Sequence, residues 1–228
     1  MAIAASHSQL LPAPGGPVAG RRHDLPMLTT SSELVSTLST YGRRQEIYGE
    51  GEEAACVYQV ICGAVRSYNV LSDGRRQISA FHLLGDIFGL EVHAVYGQSA
   101  EAIIETTVMV YPRRQFEAAA HHDVQLACEL WSIALRQLEH RQAHVLLLGR
   151  RSALERVAAF LAEIERRSGE AGWFDLPMTR RDIADYLGLT IETVSRAVSQ
   201  LEADGALLRA GARRIRLCHA AIRQLLRD

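Results

Sequence analysis

Four polar side chains near the C-terminus recur at the spacing of a single helix face. At positions i, i+3, i+4 and i+7 stand Glu192, Ser195, Arg196 and Ser199, and residues so spaced are neighbours on an α-helix. An arginine can donate two hydrogen bonds to a guanine, a glutamate can accept one from the amine of cytosine, and a serine can bond a base or a phosphate. The stripe therefore has the chemistry to read base edges, although a helix face turned to solvent would look the same.

The segment before this stripe predicts a shorter helix and a tight turn. Thr179 is placed to cap the N-terminus of that helix, with Asp182 three residues later as its capping-box partner. Gly188 can adopt the left-handed conformation that ends a helix. Thr190 then caps the helix that carries the polar stripe, which is predicted to run to about Ala203.

The two predicted helices have the spacing of a helix-turn-helix. Ala184 is small where the helices cross, Gly188 is permissive in the turn, and Val194 is apolar between the helices. The remaining core positions are Ile183, Leu187, Leu189, Val198 and Leu201. Because the apolar side of the second helix turns inward, the polar stripe turns outward. We interpret the pair as a DNA-binding module whose second helix enters the major groove.

The candidate DNA contacts divide into base-reading and backbone-binding residues. The predicted base-reading residues are Ile191, Glu192, Ser195 and Arg196, and Ile191 could touch a thymine methyl group. The predicted backbone contacts are Thr179, Arg180, Thr190, Thr193, Ser199, Arg213 and Arg214. The last two lie in "ALLRAGARRIRLC", which predicts a basic β-hairpin that turns near Ala210 and Gly211 and contacts phosphates as a wing.

The segment from Arg113 to about Leu148 contains neither proline nor glycine and predicts one long helix. An apolar seam in alternating steps of four and three residues runs through Val124, Cys128, Trp131, Leu135, Leu138, Gln142, Val145 and Gly149. This heptad seam could pack on the N-terminal domain of its own chain. Leu126, Leu130 and Ile133 already supply a second apolar face for that contact, however, and two apolar faces need two partners. We therefore expect a homodimer with its interface at Val124, Cys128, Trp131, Leu135, Leu138 and Val145.

The N-terminal part predicts strands, and the fold class is α+β. "ACVYQVICGAVRSYNV" is rich in β-branched and aromatic residues, "SDGRRQISAF" follows with a hairpin signal at Asp73-Gly74, and "AIIETTVMVYP" predicts a strand that ends at Pro112. Several strands at this spacing suggest a barrel or a jelly roll. Cys56 and Cys62 share strand parity and are expected to be buried.

The expected domains follow from these elements. They are a disordered leader over 1–24, a β-roll over 25–118, a dimerisation helix over 119–149 and a winged helix-turn-helix over 150–228. The last begins with an amphipathic helix over 151–167 that stops at Gly169.

Charge is distributed unevenly along the chain. From Thr179 onward there are nine arginines and six acidic residues, a net charge of +3, against sixteen arginines and twenty acidic residues before it, a net charge of −4. A basic C-terminal module behind an acidic domain fits a nucleic-acid binder with a separate control domain. No lysine occurs, which codon bias in a GC-rich genome explains better than function does.

Other functional classes find little support. The four cysteines form neither a C-x-x-C pair nor a zinc-finger pattern, so no metal site is expected. We find no nucleophile elbow, P-loop or H-E-x-x-H pattern, and do not expect an enzyme. No signal peptide and no membrane span is recognised, so we expect a cytoplasmic protein.

The chain resembles the Crp/Fnr superfamily of bacterial transcription regulators, most closely the FixK branch. The resemblance rests on "YGEGEEAACVYQVICGAVRSY", "SDGRRQISAFHLLGDIFGLE" and "MTRRDIADYLGLTIETVSRAVSQLE". It implies a β-roll of cyclic-nucleotide-binding type, a dimer helix and a winged helix-turn-helix, with E-x-x-S-R at Glu192, Ser195 and Arg196 as the reading set. It also implies a TTGA-rich inverted repeat as target, RNA polymerase as a partner, and an activator of micro-oxic, nitrogen-fixation or denitrification genes.

Two departures from the superfamily pattern bear on its ligands. Cyclic AMP sensors of the superfamily hold the phosphate with an arginine and a nearby glutamate, where this chain has Gln98 and Asp86. Oxygen sensors of the Fnr type use an N-terminal cysteine group, whereas no cysteine here precedes Cys56. We therefore expect no cofactor. The alternative is a ligand or haem in the β-roll, with His82, His93, His121 and His122 as possible ligands.

Overall fold

The computed structural model describes residues 35–149, 152–169, 172–211 and 213–226. The leader expected over 1–24 lies outside these residues. The described chain builds a β-roll, then two helices, then a helical module with a small sheet, which confirms the α+β architecture.

The β-roll consists of two antiparallel four-stranded sheets within the described residues. Its strands are β1 (Thr37–Tyr41), β2 (Glu46–Tyr48), β3 (Cys56–Cys62), β4 (Val65–Val70), β5 (Arg76–His82), β6 (Ile87–Phe88), β7 (Ser99–Ala102) and β8 (Thr106–Pro112). One sheet has the order β1-β8-β3-β6 and the other β2-β7-β4-β5. Alternating apolar residues of both sheets face each other, as expected for a sandwich of this kind.

Aromatic side chains fill the space between the two sheets. Tyr48, Tyr58, Phe88 and Tyr96 are all buried in one cluster. The rings of Tyr48 and Tyr96 are stacked with centroids 3.7 Å apart, and Tyr58 stacks on Phe88 at 5.2 Å. The interior of this β-roll is thus occupied by its own side chains.

The single strand predicted to end at Pro112 is two strands in the structure. β7 pairs with β4 and β2, whereas β8 pairs with β1 and β3 in the other sheet. At the start of β8 the hydroxyl of Thr106 lies 3.1 Å from both the backbone N and the carbonyl O of Ala64. The predicted end at Pro112 is confirmed, whereas the predicted start coincides with the end of β7, because residues 103–105 carry the chain from one sheet to the other.

The expected burial of both N-terminal cysteines is also wrong. Cys56 is half-buried and Cys62 is exposed. The pairing of β3 with β8 shifts register between Val60 and Cys62. Because a shift of one residue turns following side chains to the other face, equal parity in the sequence does not mean the same face here.

The long helix predicted from Arg113 is two helices, α1 (Arg113–His122) and α2 (Val124–Leu148). Asp123 between them is extended, and its side chain accepts hydrogen bonds from the backbone N of Gln125 and Leu126. An aspartate can therefore end one helix and cap the next without glycine or proline. The domain boundary expected at 118/119 falls inside α1, whereas α2 ends beside the boundary expected at 149.

The C-terminal module contains α3 (Ala153–Ser168), β9 (Phe174–Asp175), α4 (Arg180–Leu187), α5 (Ile191–Ala203), β10 (Leu207–Ala210), β11 (Arg214–Leu217) and α6 (His219–Leu225). The hairpin β10–β11 confirms the predicted wing, and β9 adds a third strand to it. Sequence reasoning missed β9 and α6, which are too short to show a period. Gly169 ends α3 in the left-handed conformation, as expected.

Candidate nucleic-acid interface

The caps of the helix-turn-helix form as predicted. The Thr179 hydroxyl accepts from the backbone N of Asp182 at 3.2 Å, and the Asp182 carboxylate accepts from the backbone N of Thr179 at 2.9 Å. Gly188 ends α4 with φ of 63°, and Thr190 accepts from the backbone N of Thr193 at 3.2 Å. This local geometry fixes where α5 begins relative to α4.

α5 has the two faces that its sequence predicts. Its buried residues are Val194, Ala197, Val198 and Leu201, which join Ile183 and Leu187 of α4 in one core. The side chains of Glu192, Ser195, Arg196 and Ser199 are exposed, and we call these four residues the reading face. The reading face starts in the first turn of α5, the part of such a helix that approaches base edges.

Glu192 is held ionised on the reading face. Its pKa is lowered by a hydrogen bond from its own backbone N–H, by the Thr190 side chain, and by the positive charges of Arg196 and Arg181. An ionised carboxylate only accepts hydrogen bonds, which suits the amine of a base. Arg181 is exposed in the first turn of α4 and was not among the predicted contacts; the doubled arginine in "TRRD" was the signal for it.

Three of the predicted DNA-contact residues make contacts within the protein, which leave less of each side chain available to DNA than the sequence suggested. Ile191 is half-buried and packs against the core, so only part of it remains for a thymine methyl group. The Thr179 hydroxyl also donates to the Asp182 carboxylate at 2.7 Å. Arg180 is half-buried, and its pKa is lowered by burial and by the charge of Arg209.

The wing presents arginines on its outer face. Arg214 and Arg216 of β11 are exposed, while Ile215 and Leu217 between them are buried, as strand alternation requires. Arg213 is half-buried before this strand. The guanidinium of Arg216 lies over the ring of Trp173 at 5.2 Å, which restrains it.

α2 has two apolar faces, of which the described chain covers one. Leu126 and Ile133 are buried against the β-roll, and Leu130 packs beside them. The opposite face carries the predicted interface. Its members Val124, Trp131, Leu135, Leu138 and Val145 are between 44% and 79% exposed, and Cys128 is exposed with them. An apolar surface of this extent on one helix indicates a protein partner.

Of the residues considered in connection with a ligand in the β-roll, Gln98 and His82 have partners within the protein. Gln98 accepts from Ser79 Oγ at 2.8 Å and donates to Asn69 Oδ1 at 3.0 Å. His82 Nε2 lies 2.8 Å from Ser67 Oγ, and His93, His121 and His122 are exposed. Within the described ranges no group of three or more His, Cys, Asp or Glu side chains is placed to hold a metal ion.

A β-roll joined through a long helix to a winged helix-turn-helix with an exposed reading face defines a DNA-binding transcription regulator of the Crp/Fnr superfamily. Residues 38–123 match the cyclic nucleotide-binding domain family, and residues 155–221 match the Crp-like helix-turn-helix domain family. In the part of the chain that the structure describes, no helix is long and apolar enough to span a membrane.

Comparison with known proteins narrows this class. The chain is 43% identical over 203 residues to the nitrogen fixation regulation protein FixK of Azorhizobium caulinodans, covering 85% of this chain and 82% of the relative. It is 46% identical to the FixK protein of Rhizobium meliloti, over 72% of this chain and 75% of the relative. The structure of FixK2 from Bradyrhizobium japonicum matches with a TM-score of 0.80 at 55% identity, covering 84% of this chain and 98% of that one.

The chain therefore belongs to the FixK branch of the Crp/Fnr superfamily and is a FixK-type transcription regulator. The expectation that it is not an enzyme is confirmed by these relatives, which are regulators.

Proposed function

We propose that this protein is a cytoplasmic homodimer that binds a TTGA-rich inverted repeat in double-stranded DNA and activates transcription together with RNA polymerase. The genes would be those of micro-oxic respiration, nitrogen fixation or denitrification. The observation that carries the proposal is the reading face, which begins with the first turn of α5 and is exposed along its whole length.

Three side chains of the reading face have distinct tasks in this proposal. Arg196 is the one arginine in the α5 sequence and donates in bidentate fashion to a guanine. Glu192, ionised beside it, accepts from a cytosine amine, and Ser195 bonds a base or a phosphate. Arg213 and Arg214 of the wing contact phosphates, which position the module without selecting a sequence.

Pairing of two chains through the exposed seam of α2 would explain why the proposed target is an inverted repeat. If two chains pair through Trp131, Leu135 and Leu138, their reading faces are related by a two-fold axis, and a symmetric dimer binds a symmetric site. The half-sites then lie about one helical turn, roughly 34 Å, apart along the duplex.

We further propose that DNA binding needs no small-molecule effector and is controlled by abundance or by modification. The support is that aromatic side chains occupy the β-roll interior and that Gln98 is held by Ser79 and Asn69. A ligand phosphate would meet an amide there instead of a cation, and a phosphate without a charged partner is weakly bound.

The test is selection of bound duplexes from random DNA, followed by binding measurements on variants. Arg196→Ala should cost roughly 1–3 kcal/mol per half-site and relax the preference at one base pair. Arg213→Ala should weaken binding to all DNA sequences equally and reduce the salt dependence of binding by about one phosphate contact.

Arg166→Ala is the matched control, because it removes the same charge from an exposed position on α3 where Arg166 pairs with Glu163. The proposal fails if Arg196→Ala keeps full sequence discrimination, or if purified protein selects no inverted repeat in the absence of added ligand.

A further inference from the structure

α4, the first helix of the helix-turn-helix, is bonded to the β-roll through buried charged side chains. The Asp182 side chain on α4 is 2% exposed. Its Oδ1 accepts from Arg66 on β4 at 2.5 Å and from Arg76 on β5 at 2.9 Å. Its Oδ2 accepts from the Thr179 backbone and hydroxyl. One carboxylate therefore completes the capping box of α4 and also anchors α4 to two strands of the β-roll.

Two further carboxylates complete this network. Arg66, itself 7% exposed, also donates to Glu101 on β7 at 2.5 Å. Arg76 donates through Nε and a terminal nitrogen to Asp185 on α4 at 3.0 Å and 2.8 Å. We call Arg66, Arg76, Glu101, Asp182 and Asp185 the anchor network. It connects three strands of one sheet to one helix through directional, charge-assisted hydrogen bonds.

The anchor network is directional in a way that the surrounding apolar contacts are not. Ile78 and Phe81 of β5 share a core with Ile183 and Leu187 of α4, and apolar packing of this kind favours burial without selecting one orientation. Buried ion pairs contribute little net stability but disfavour other arrangements, because an unpaired buried charge costs several kcal/mol. The network therefore holds α4 at a defined angle to the β-roll.

The position of the reading face depends on this angle. α5 follows α4 across the Gly188 turn and shares its core. The β-roll in turn packs on α2 through Leu126 and Ile133, and α2 carries the exposed seam. A continuous series of packed elements thus runs from the seam through the β-roll and the anchor network to α5.

We propose that Arg66 and Arg76 are specificity-determining positioning residues that set which half-site spacing the dimer accepts. The inference rests on the proposed function. By fixing α4 on each β-roll, the anchor network fixes the separation of the two reading faces, and a dimer with one separation tolerates one spacing of half-sites. Weakening the network lets each helix-turn-helix rotate relative to its β-roll, which broadens the range of half-site spacings that the dimer accepts. The base preference within each half-site does not change, because the reading face sets it.

The experiment measures binding to the selected inverted repeat and to duplexes with one or two base pairs added or removed at its centre. Unaltered protein should lose roughly tenfold or more in affinity for each altered spacing, as for a mismatched contact. Arg76→Gln and Asp185→Asn, both at partly exposed positions, should reduce that difference to about threefold or less. The matched control is Arg75→Gln, since Arg75 pairs with Asp73 in its own hairpin.

A charge exchange separates positioning from loss of folding. Arg76→Asp alone should broaden the spacing profile, and adding Asp185→Arg should narrow it again in part, because the pair with position 185 re-forms in the opposite sense while the bond to Asp182 does not. A folded Arg76→Gln, Asp185→Asn or Arg76→Asp protein whose spacing profile matches that of the unaltered protein would overturn the inference. Failure of unaltered protein to bind any inverted repeat would instead overturn the proposed function.

Discussion

His144 of α2 stacks face to face on Tyr186 of α4, with ring centroids 3.8 Å apart and planes 4° from parallel. His144 Nε2 lies 2.8 Å from the Tyr186 carbonyl oxygen, and because a carbonyl only accepts, this nitrogen carries the proton. Burial lowers the pKa of His144, which keeps the ring neutral. The helix with the exposed seam and the first helix of the DNA-binding module are thus in direct contact.

Removing the Tyr186 ring should destabilise the chain. The ring also contacts Phe81 and Phe160, so Tyr186→Ala leaves a cavity among three aromatic rings and should cost roughly 3 kcal/mol of unfolding free energy. Tyr186→Phe keeps the ring and should cost less than about 1 kcal/mol. Urea unfolding followed by circular dichroism measures both, and equal stabilities of the two variants would contradict this packing role.

Leu135→Glu should convert the dimer to a monomer and abolish tight DNA binding. The substitution places a charge in the middle of the exposed seam, and an unpaired buried charge costs several kcal/mol. Ala143→Glu introduces the same charge at an exposed position of α2 outside the seam. This variant should remain a dimer in solution. Sedimentation gives the masses, and a dimeric Leu135→Glu protein would show that the seam is not the interface.

Thr179→Ala should remove the cap of α4 at a cost of about 1 kcal/mol. Thr179→Ser retains the hydroxyl that bonds Asp182 and should cost only a few tenths of a kcal/mol. Thermal unfolding of the two variants checks the difference. If Thr179→Ala unfolds like the unaltered chain while DNA binding falls, the hydroxyl serves a phosphate and not the cap.

Cyclic AMP and cyclic GMP should give no saturable heat when titrated by calorimetry to millimolar concentration. The reason is Gln98, which holds Ser79 and Asn69 in place of a phosphate-binding cation. Gln98→Arg is the informative comparison, because it supplies the missing charge. A micromolar site in the unaltered chain would contradict the effector-free proposal.

The free energy of unfolding should fall as the pH is lowered from about 6.5 towards 4. Burial lowers the pKa of His82 to about 4, with Arg167 and Arg141 adding to the effect and Asp86 opposing it. Between the two pKa values the unfolded chain binds the proton and the folded chain does not, so acid favours unfolding. The loss from His82 is at most roughly 3 kcal/mol.

His82→Gln should flatten this pH dependence, because a glutamine can still bond Ser67 but does not titrate. Urea unfolding at a series of pH values provides the slope. A His82→Gln protein with the slope of the unaltered chain would place the titration elsewhere, for example at His140 or His144, whose pKa values are also lowered by burial.

Local features were predictable from the order of the residues. The capping box at Thr179, the left-handed turn at Gly188 and the two faces of α5 depend on residues a few positions apart. The backbone geometry of a helix alone brings such residues together. The residues of the reading face and of the wing therefore follow from the sequence without any tertiary contact.

Only the tertiary structure decided which distant residues meet. Arg66 and Asp182 are 116 positions apart, and nothing in the sequence indicates that their side chains are buried against each other. The exposure of Cys62 likewise depends on a register shift against β8. Periodicity indicates which side of an element is buried, but the partner across the core follows from packing of the whole chain. For this protein, the sequence determined which side chains form the reading face, and the packing of α4 on the β-roll determined where that face points.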